Sequence, residues 1–348
     1  MRKTSAAALI LVILLGGIVL FFASDETSRT GFWGFVGGSK PLRAWTPATP
    51  SPTLKAPSAK PQNCGLLNVT VLDVGQADAI FIKTPGGKTI LIDAGIYGRA
   101  ANILKSQKID YFVATHLHQD HIDGFKYLEK NVGAIYDNGD CGGNKMGTML
   151  TTYEGFWQTH PHVAVTQDSA VEFDPCISVE FKVAYDRPQG CWTSNENENS
   201  ILVRITYGST SFLFAGDCEK NCEYTLLQQG TDLDAEFLKV GHHGSGTSSS
   251  ADFVRAVGAQ YYAISVNASE SITKGYFHPR KASLTNIFGM GGFSEGTRFL
   301  YRTDLNGNLN YVSDGKTIRK SAYLTSPTLT EEFSGYSDAD ASTYGPIN

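Results

Sequence analysis

The sequence Thr115-His116-Leu117-His118-Gln119-Asp120-His121 follows an apolar run at 111–114 and precedes a predicted helix at residues 122–130. Four potential metal ligands lie within six of these residues. Two histidines separated by one residue can reach one metal ion from a tight loop, and the following aspartate and histidine can face a second ion. Zinc accepts imidazole and carboxylate ligands, and metal pairs about 3.5–4 Å apart activate a shared water. The run therefore predicts a dinuclear metal site, because a chance cluster of surface histidines does not explain this spacing.

The second half of the chain has a similar layout. Gly216-Asp217 follows a predicted strand at 212–215, and Gly241-His242-His243-Gly244-Ser245 follows another at 237–240. Polar residues thus collect just beyond strand ends in both halves, which is where mixed α/β folds place their sites. In the first half, short β-rich runs at 79–83 and 88–92 are joined by Thr84-Pro85-Gly86-Gly87, a hairpin turn. These patterns predict an α/β domain with two similar halves.

The motifs resemble those of the metallo-β-lactamase superfamily over roughly residues 67–324. They occur in the family's order: Ile90-Leu91-Ile92-Asp93-Ala94-Gly95, His116-x-His118-x-Asp120-His121, Gly216-Asp217 and His242-His243-Gly244-Ser245. The resemblance implies a four-layer αββα metallo-β-lactamase sandwich built from two similar halves, with the metals at one edge. It also implies a metal-dependent hydrolase.

The same resemblance implies the ligand set. One metal would be held by His116 and His118 and the second by Asp120 and His121, with Asp217 between them. His242, in preference to His243, would complete the second site. Family members often have a third histidine for the first metal, where this chain reads Asn195-Glu196-Asn197-Glu198-Asn199-Ser200.

Asn199 is therefore either an amide ligand of the first metal or a loop residue that bonds its own turn. Glu196 or Glu198 are alternative oxygen ligands. An amide oxygen is a weaker zinc ligand than imidazole, so a harder ion such as Mn²⁺ also fits the first site. We expect Zn²⁺ or Mn²⁺ as cofactor, with one or two ions bound.

Other polar residues have two interpretations each. Asp93 either orients a ligating imidazole or caps the next turn. His278 and Arg280 either bind a substrate phosphate or belong to a surface loop. His160 and His162, which flank Pro161, are interpreted as solvated loop residues.

Within the superfamily, the chain is most similar to the extracytoplasmic domain of ComEC DNA-uptake proteins. The residues that carry this similarity are Leu72-Asp73-Val74-Gly75-Gln76-Ala77-Asp78-Ala79, Asn199-Ser200-Ile201-Leu202-Val203-Arg204, Leu238-Lys239-Val240-Gly241-His242-His243-Gly244-Ser245 and Tyr301-Arg302-Thr303-Asp304. Because the sequence lacks that family's multi-span channel, we expect a tethered relative and not the pore itself.

The ends of the chain predict export. Arg2 and Lys3 precede an apolar run at 6–23, so residues 1–23 form a signal peptide or a membrane anchor, and the remainder is extracytoplasmic. Residues 24–62 are a Pro/Gly-rich linker, residues 63–325 the hydrolase domain, and residues 326–348 an acidic, disordered tail. A net charge of −5 excludes a global basic field, so nucleic acid would have to bind through a local patch or through metals.

The cysteine count fits an exported domain. Six cysteines allow full pairing into disulfides, in any of fifteen arrangements, and Cys176 with Cys191 would close a short loop. The alternative, a zinc site on Cys218 and Cys222, lacks a second ligand pair nearby.

The leading functional hypothesis is a phosphodiesterase or nuclease that uses a metal-activated water. Asp120 would orient or deprotonate that water, and His243 or His278 would stabilise charge on the departing oxygens. The substrate would be a phosphodiester, including extracellular DNA, and the membrane would be contacted through an uncleaved N-terminal segment. No obligate protein partner is evident. The first alternative is an ester, lactone or β-lactam hydrolase, and the second is a non-catalytic tethered binding module.

Overall fold

The computed structural model describes residues 64–139, 147–184 and 193–320, together with two short strands near the N-terminus. The chain divides into two units, Met1–Thr49 and Pro50–Asn348. In the first unit, strands β1 (Leu11–Leu14) and β2 (Gly17–Leu20) pair antiparallel. Among the described residues, no helix is both long and apolar enough to span a membrane. The predicted signal or anchor at 1–23 stays a prediction, and the linker at 24–62 and the tail at 326–348 lie outside the described residues.

The strands of the larger unit are, in chain order, β3 (Leu67–Val71), β4 (Ile80–Lys83), β5 (Thr89–Ile92), β6 (Ile109–Val113), β7 (Val132–Asp137), β8 (His162–Ala164), β9 (Ser169–Val171), β10 (Ser178–Lys182), β11 (Leu202–Tyr207), β12 (Thr210–Phe214), β13 (Phe237–Lys239), β14 (Tyr261–Ile264), β15 (Phe299–Arg302), β16 (Leu309–Ser313) and β17 (Ile318–Lys320). The helices are α1 (Arg99–Leu104), α2 (Gln119–Ile122), α3 (Gly147–Phe156), α4 (Lys220–Gln228), α5 (Ala251–Val257), α6 (Ala268–Thr273), α7 (Lys281–Phe288) and α8 (Thr303–Asn306).

The strands form two mixed sheets. One has the order β17-β16-β3-β4-β5-β6-β7-β8, and the other has the order β15-β14-β13-β12-β11-β10-β9. In each sheet an antiparallel part continues into parallel strands, β5 to β8 in the first and β12 to β15 in the second. The two halves are therefore alike in layout, as the sequence predicts.

Alternating side chains place the two sheets face to face. Ile90 and Ile92 of β5 join the same buried cluster as Phe212 and Phe214 of β12, and this cluster lies between the sheets. Leu91, between Ile90 and Ile92, and Leu213, between Phe212 and Phe214, belong to two other buried clusters. Each of these clusters lies on the outer face of its own sheet, where helices cover it. Successive side chains of a strand point to opposite faces, so both faces of each sheet are buried. The result is the predicted four-layer αββα metallo-β-lactamase sandwich.

The segment after the ligand run is less helical than predicted. Instead of one helix at 122–130, α2 is followed by two short 3-10 helices, at Asp123–Tyr127 and Glu129–Asn131. Gly124 N–H donates to Gly95 O at 2.9 Å, and a Cβ on Gly124 would lie 1.9 Å from Ala94 O. The backbone at Gly124 thus bonds to the loop after β5, and this close approach both requires glycine and interrupts the helix.

Two disulfides are described, and they correct the cysteine predictions. Cys176 pairs with Cys64 across a sequence separation of 112 residues, not with Cys191, because β10 brings Cys176 beside the start of β3. Cys218 and Cys222 are bonded to each other, so they offer no thiolates to the zinc site considered above. Cys141 and Cys191 lie outside the described residues.

Candidate metal centre

The predicted ligands meet where parallel strands end. The His116–His121 run follows β6, Asp217 follows β12, and His242 and His243 follow β13. Because the carboxyl ends of these strands lie at one edge of the sandwich, residues more than 100 positions apart become neighbours.

Asp217 is the centre of the cluster. Its Oδ2 atom lies 3.3 Å from His121 Nε2 and 3.9 Å from His116 Nε2. His243 Nε2 lies 3.8 Å from the same oxygen and 3.3 Å from Asp120 Oδ2. Four sets of ligand atoms in the described residues each fall within 4.8 Å of one another, among them His116, His121 and Asp217, and Asp120, His121 and His243.

The donor atoms of this cluster fit a metal ion. His121 Nε2, His243 Nε2 and Asp217 Oδ1 are buried, and none has a hydrogen-bond partner in the described part of the chain. A buried polar atom left unpaired costs about 1–3 kcal/mol, and here three such atoms belong to one cluster. Imidazole nitrogen with carboxylate oxygen is the donor set that Zn²⁺ and Mn²⁺ accept. A bound cation would satisfy all three atoms together.

The geometry favours His243 over His242 as the ligand from this segment. His242 is 20% exposed, and its Nδ1 lies 3.0 Å from Glu219 Oε1. Its Nε2 lies 3.7 Å from Asp217 Oδ2, about as close as that of His243, so this distance does not separate the two residues. Burial does, because His243 is buried and its Nε2 also lies 3.3 Å from Asp120 Oδ2. Both residues have positive φ, 45° and 51°, in a tight turn that directs adjacent side chains differently. A motif of two adjacent histidines cannot reveal which of them the turn directs inward.

Asp93 holds two ligating rings in the orientation that a metal requires. Its carboxylate accepts hydrogen bonds from Thr115 N at 2.8 Å and Thr115 Oγ1 at 2.9 Å, and lies 2.8 Å from His121 Nδ1. Since the Thr115 hydroxyl donates to Asp93, it accepts from His116 Nδ1, 3.2 Å away. Both rings then carry a proton on Nδ1 and present Nε2 to the cluster. Asp93 thus orients the imidazole of His121, a candidate ligand, which agrees with the first of its two interpretations.

The first metal position has fewer candidate ligands nearby than the second. His118 Nδ1 lies 3.0 Å from His116 Nε2. Asn199 is buried, its Nδ2 donates to Thr193 O at 2.8 Å, and its Oδ1 lacks a hydrogen-bond partner within the described ranges. This amide oxygen is free to accept, and Asn199 as a ligand of the first metal stays a prediction.

Glu196 and Glu198 are engaged elsewhere. Glu196 Oε1 accepts from Leu117 N at 3.0 Å and Asn138 Nδ2 at 2.8 Å, so it supports the backbone of the ligand run. Glu198 accepts from Cys222 N at 2.6 Å, in the first turn of α4. Because both carboxylates serve backbone N–H groups, they are poor substitutes for a missing metal ligand.

His278 borders the cluster. Its ring centroid lies 5.3 Å from that of His242 and 6.4 Å from that of His243. The segment that carries it is tied to the His242-His243 turn, because Arg280 N donates to Gly244 O at 2.7 Å. Gly244 has a φ of +80°, and a Cβ there would lie 2.6 Å from Pro279 Cβ. Glycine thus allows this close approach, and the segment is not an unattached surface loop.

The histidines that flank Pro161 are structural. His162 Nε2 lies 2.9 Å from Asp137 Oδ1, and its ring stacks on Trp157. His160 Nε2 lies 2.9 Å from Glu129 O. Both rings have protein partners, in contrast to the solvated state that the sequence suggested.

The electrostatics of the cluster are dominated by burial and by its carboxylates. Burial lowers the pKa of His243, but Asp217 and Asp78 outweigh it and raise that pKa to about 10. Burial raises the pKa of Asp217, but His121, His242 and His243 hold it well below its usual value. Burial, followed by the neighbouring His121 and His118, lowers the pKa of His116 well below its ordinary value. Without a cation the cluster therefore retains protons on His243 that a metal ion would displace.

Sequence reasoning did not identify Asp78 and Lys239 as parts of the site. Both are buried next to His243, and a lysine that ends an apolar strand is the signal that could have identified the pair. Asp78 lies within the Leu72–Ala79 motif that carries the ComEC resemblance.

Comparisons with known proteins agree with the fold. Residues 72–136 match the family model described as metallo-beta-lactamase superfamily. The chain is 29% identical over 263 residues to Competence protein ComA of Neisseria gonorrhoeae, covering 73% of this chain and 33% of that protein. It is 23% identical over 281 residues to ComE operon protein 3 of Bacillus subtilis, covering 73% of this chain and 34% of that protein. The chain thus spans about a third of these relatives' length.

Solved structures with similar folds have low sequence identity. The metallo-beta-lactamase fold protein YhfI of Bacillus subtilis is 12% identical with a TM-score of 0.44, over 74% of this chain and 100% of that one. The diiron beta-hydroxylase CmlA of Streptomyces venezuelae is 15% identical with a TM-score of 0.48, and the match covers 73% of this chain and 55% of that one. The expected resemblance to the metallo-β-lactamase superfamily, and within it to ComEC-type proteins, is confirmed by the family match and the competence proteins.

Proposed function

We propose that this chain, a metallo-β-lactamase superfamily protein, is an exported metal-dependent phosphodiesterase or nuclease. One observation carries the proposal: buried, unpaired ligand atoms of His121, His243 and Asp217 meet at one edge of the sandwich. These unpaired atoms also argue against a decayed site in a binding module. The similarity to ComEC-type DNA-uptake proteins favours a phosphodiester, including extracellular DNA, over a carboxylic ester, lactone or β-lactam.

The proposed ligands follow the geometry. His121, His243 and Asp120 hold one ion, His116 and His118 hold the other, and Asp217 lies between the two positions. The cofactor is Zn²⁺ or Mn²⁺, with one or two ions bound. Asn199 provides an amide oxygen for the less complete position. His242, paired with Glu219 and partly exposed, is assigned to the entrance of the site and not to the second metal.

The chemistry is attack of water on phosphorus. Metal ions, when bound, lower the pKa of a water molecule and offset charge that develops on the phosphate. Asp120 has a 28% exposed side chain and a lowered pKa, since His243 and His121 outweigh the effect of burial. It is therefore an ionised carboxylate that can accept a hydrogen bond from the attacking water and orient it. His278 stabilises charge on the phosphate oxygens. A P–O bond forms to the water oxygen, the ester P–O bond breaks, and the departing oxygen takes the proton that the water releases.

Location and partners are proposed from the sequence. The N-terminal segment directs the chain out of the cytoplasm and attaches it to the membrane where it is not cleaved. No obligate protein partner is needed for the reaction as proposed.

The test uses the full-length chain with added Zn²⁺ or Mn²⁺. We expect cleavage of bis-p-nitrophenyl phosphate or of DNA, and loss of that cleavage in Asp217→Ala. Asp252→Ala removes an exposed carboxylate of α5 that pairs with Arg255 and not with the candidate ligands, and serves as a matched control. Robust metal binding without cleavage of any phosphodiester would overturn the proposal, and hydrolysis of a chromogenic β-lactam or a lactone instead would favour the alternative hydrolase.

A further inference from the structure

Both ends of the Gln76 side-chain amide are engaged. Gln76 is 1% exposed and lies between β3 and β4, in the motif that carries the ComEC resemblance. Its Oε1 accepts a hydrogen bond from Asn267 N at 3.3 Å. Its Nε2 lies 3.2 Å from His278 Nδ1. The amide therefore connects the first half of the sandwich to the segment that borders the metal cluster.

The backbone N–H of Asn267 determines which way this amide faces. A backbone N–H can only donate, so the oxygen of Gln76 must face Asn267 and its NH₂ must face His278. An amide NH₂ also can only donate. His278 Nδ1 is therefore the acceptor and carries no proton, which places the ring proton on Nε2.

The surrounding backbone holds both side chains in place. Gln76 N donates to Glu270 Oε2 at 3.1 Å, and Asn267 caps α6 by accepting from Glu270 N at 3.0 Å. His278 N donates to Ser271 Oγ at 2.7 Å, and Ser271 lies in the same helix. Because one short helix anchors Asn267, Glu270 and Ser271, the Gln76–His278 contact is built into the fold.

We propose that Gln76 is a positioning residue that holds His278 as a neutral ring with its proton on Nε2. The Nε2–H group, on the side of the ring away from Gln76, then donates a hydrogen bond to an anionic oxygen of the substrate. The position of the ring beside His242 and His243 places this donor at the edge of the metal cluster. The substrate part of the proposal rests on the proposed phosphodiesterase function, whereas the position of the proton does not.

The surroundings of His278 agree with a neutral ring. Burial, followed by the neighbouring His242 and His243, lowers the pKa of His278 to about 3. An imidazolium would also carry a proton on Nδ1 and would lose the hydrogen bond from Gln76. A neutral donor stabilises developing charge without adding a cation to a cluster already rich in them.

The decisive experiment reads the position of the proton by NMR. The full-length chain, labelled with ¹⁵N-histidine and treated with chelator, is compared with Gln76→Glu. A Gln107→Glu variant makes the same change at an exposed loop residue and serves as the control. His278→Gln identifies the His278 signals. In long-range correlation spectra Nε2 couples to both ring C–H protons and Nδ1 to only one, so the protonated nitrogen is assigned directly.

We expect the parent protein at neutral pH to carry the His278 proton on Nε2 alone. A glutamate at position 76 can only accept, so in Gln76→Glu the His278 proton should move from Nε2 to Nδ1, and Gln107→Glu should change nothing. With metal and a phosphodiester, Gln76→Glu should lower kcat on the order of 10²-fold, the effect of losing one oxyanion donor, with KM little changed.

Protonation of His278 on Nδ1 in the parent protein would overturn the proposal, as would an unchanged His278 in folded Gln76→Glu. The parent spectrum decides the matter even if that variant fails to fold. An inactive parent with the expected proton position would instead count against the phosphodiesterase function, so the two failures are distinguishable.

Discussion

Lys239 Nζ lies 2.6 Å from Asp78 Oδ2, and both side chains are fully buried. The other oxygen of Asp78 lies 3.2 Å from His243 Nδ1, which also lies 2.9 Å from Ser265 O. Asp78 N donates to Asp120 O at 3.2 Å. One ion pair thus joins the β3–β4 loop to the end of β13 and supports two candidate metal ligands.

Removing the lysine should destabilise the fold. Lys239→Met removes the lysine partner of the buried Asp78 carboxylate and leaves it the contact with His243. Breaking a buried ion pair from one side should lower the free energy of unfolding by about 3–5 kcal/mol. Urea unfolding of the metal-free protein measures this. The double variant Asp78→Leu with Lys239→Met removes both charges and should recover much of the loss. A single variant as stable as the parent would contradict this account of the pair.

Changing Asp93 should weaken metal binding more than folding. In Asp93→Asn the amide keeps the shape of the carboxylate, but it no longer offers a negatively charged acceptor to His121 and Thr115. Loss of such a supporting partner lowers metal affinity about 10–100-fold. Competition with a chromogenic chelator measures the affinity, and Asp110→Asn, on β6 of the same sheet, is the control. Equal affinities in the two variants would show that Asp93 does not tune the site.

Metal addition should stabilise the chelator-treated protein. A ligand that binds only the folded state at 100 times its Kd contributes about 2.7 kcal/mol, so Tm should rise with Zn²⁺ or Mn²⁺. In Asp217→Asn the shift should shrink sharply, because the central carboxylate is lost. Differential scanning fluorimetry records both, with metal content of the purified protein measured in parallel. An unchanged Tm with both metals would contradict the metal centre.

The two described disulfides should differ in their contribution to stability. Cys64–Cys176 closes a loop of about 112 residues, for which chain entropy predicts about 4–5 kcal/mol. Cys218–Cys222 spans a separation of 4 residues and should contribute far less. The two double variants, Cys64→Ser with Cys176→Ser and Cys218→Ser with Cys222→Ser, are unfolded in urea without reductant. The loss in free energy of unfolding is then compared between them. A greater loss from the short bridge would show that strain or residual structure, not loop entropy, dominates.

The sequence alone determined the parts of this protein that depend on short-range order. The β-rich runs at 79–83 and 88–92 around Thr84-Pro85-Gly86-Gly87 predict the hairpin of β4 and β5, and the one-residue spacing of His116 and His118 predicts a metal-binding loop. Such features are local, since a few consecutive residues decide which side chains share a face or a loop.

Tertiary structure decided everything that depends on segments meeting across the chain. It buried His243 and left His242 partly exposed through two consecutive positive-φ residues, paired Cys176 with Cys64, and interrupted the helix at Gly124 against the loop after β5. It also brought Lys239 to Asp78, 161 residues away. The energy of such contacts depends on three-dimensional distance and burial, which local sequence patterns do not encode.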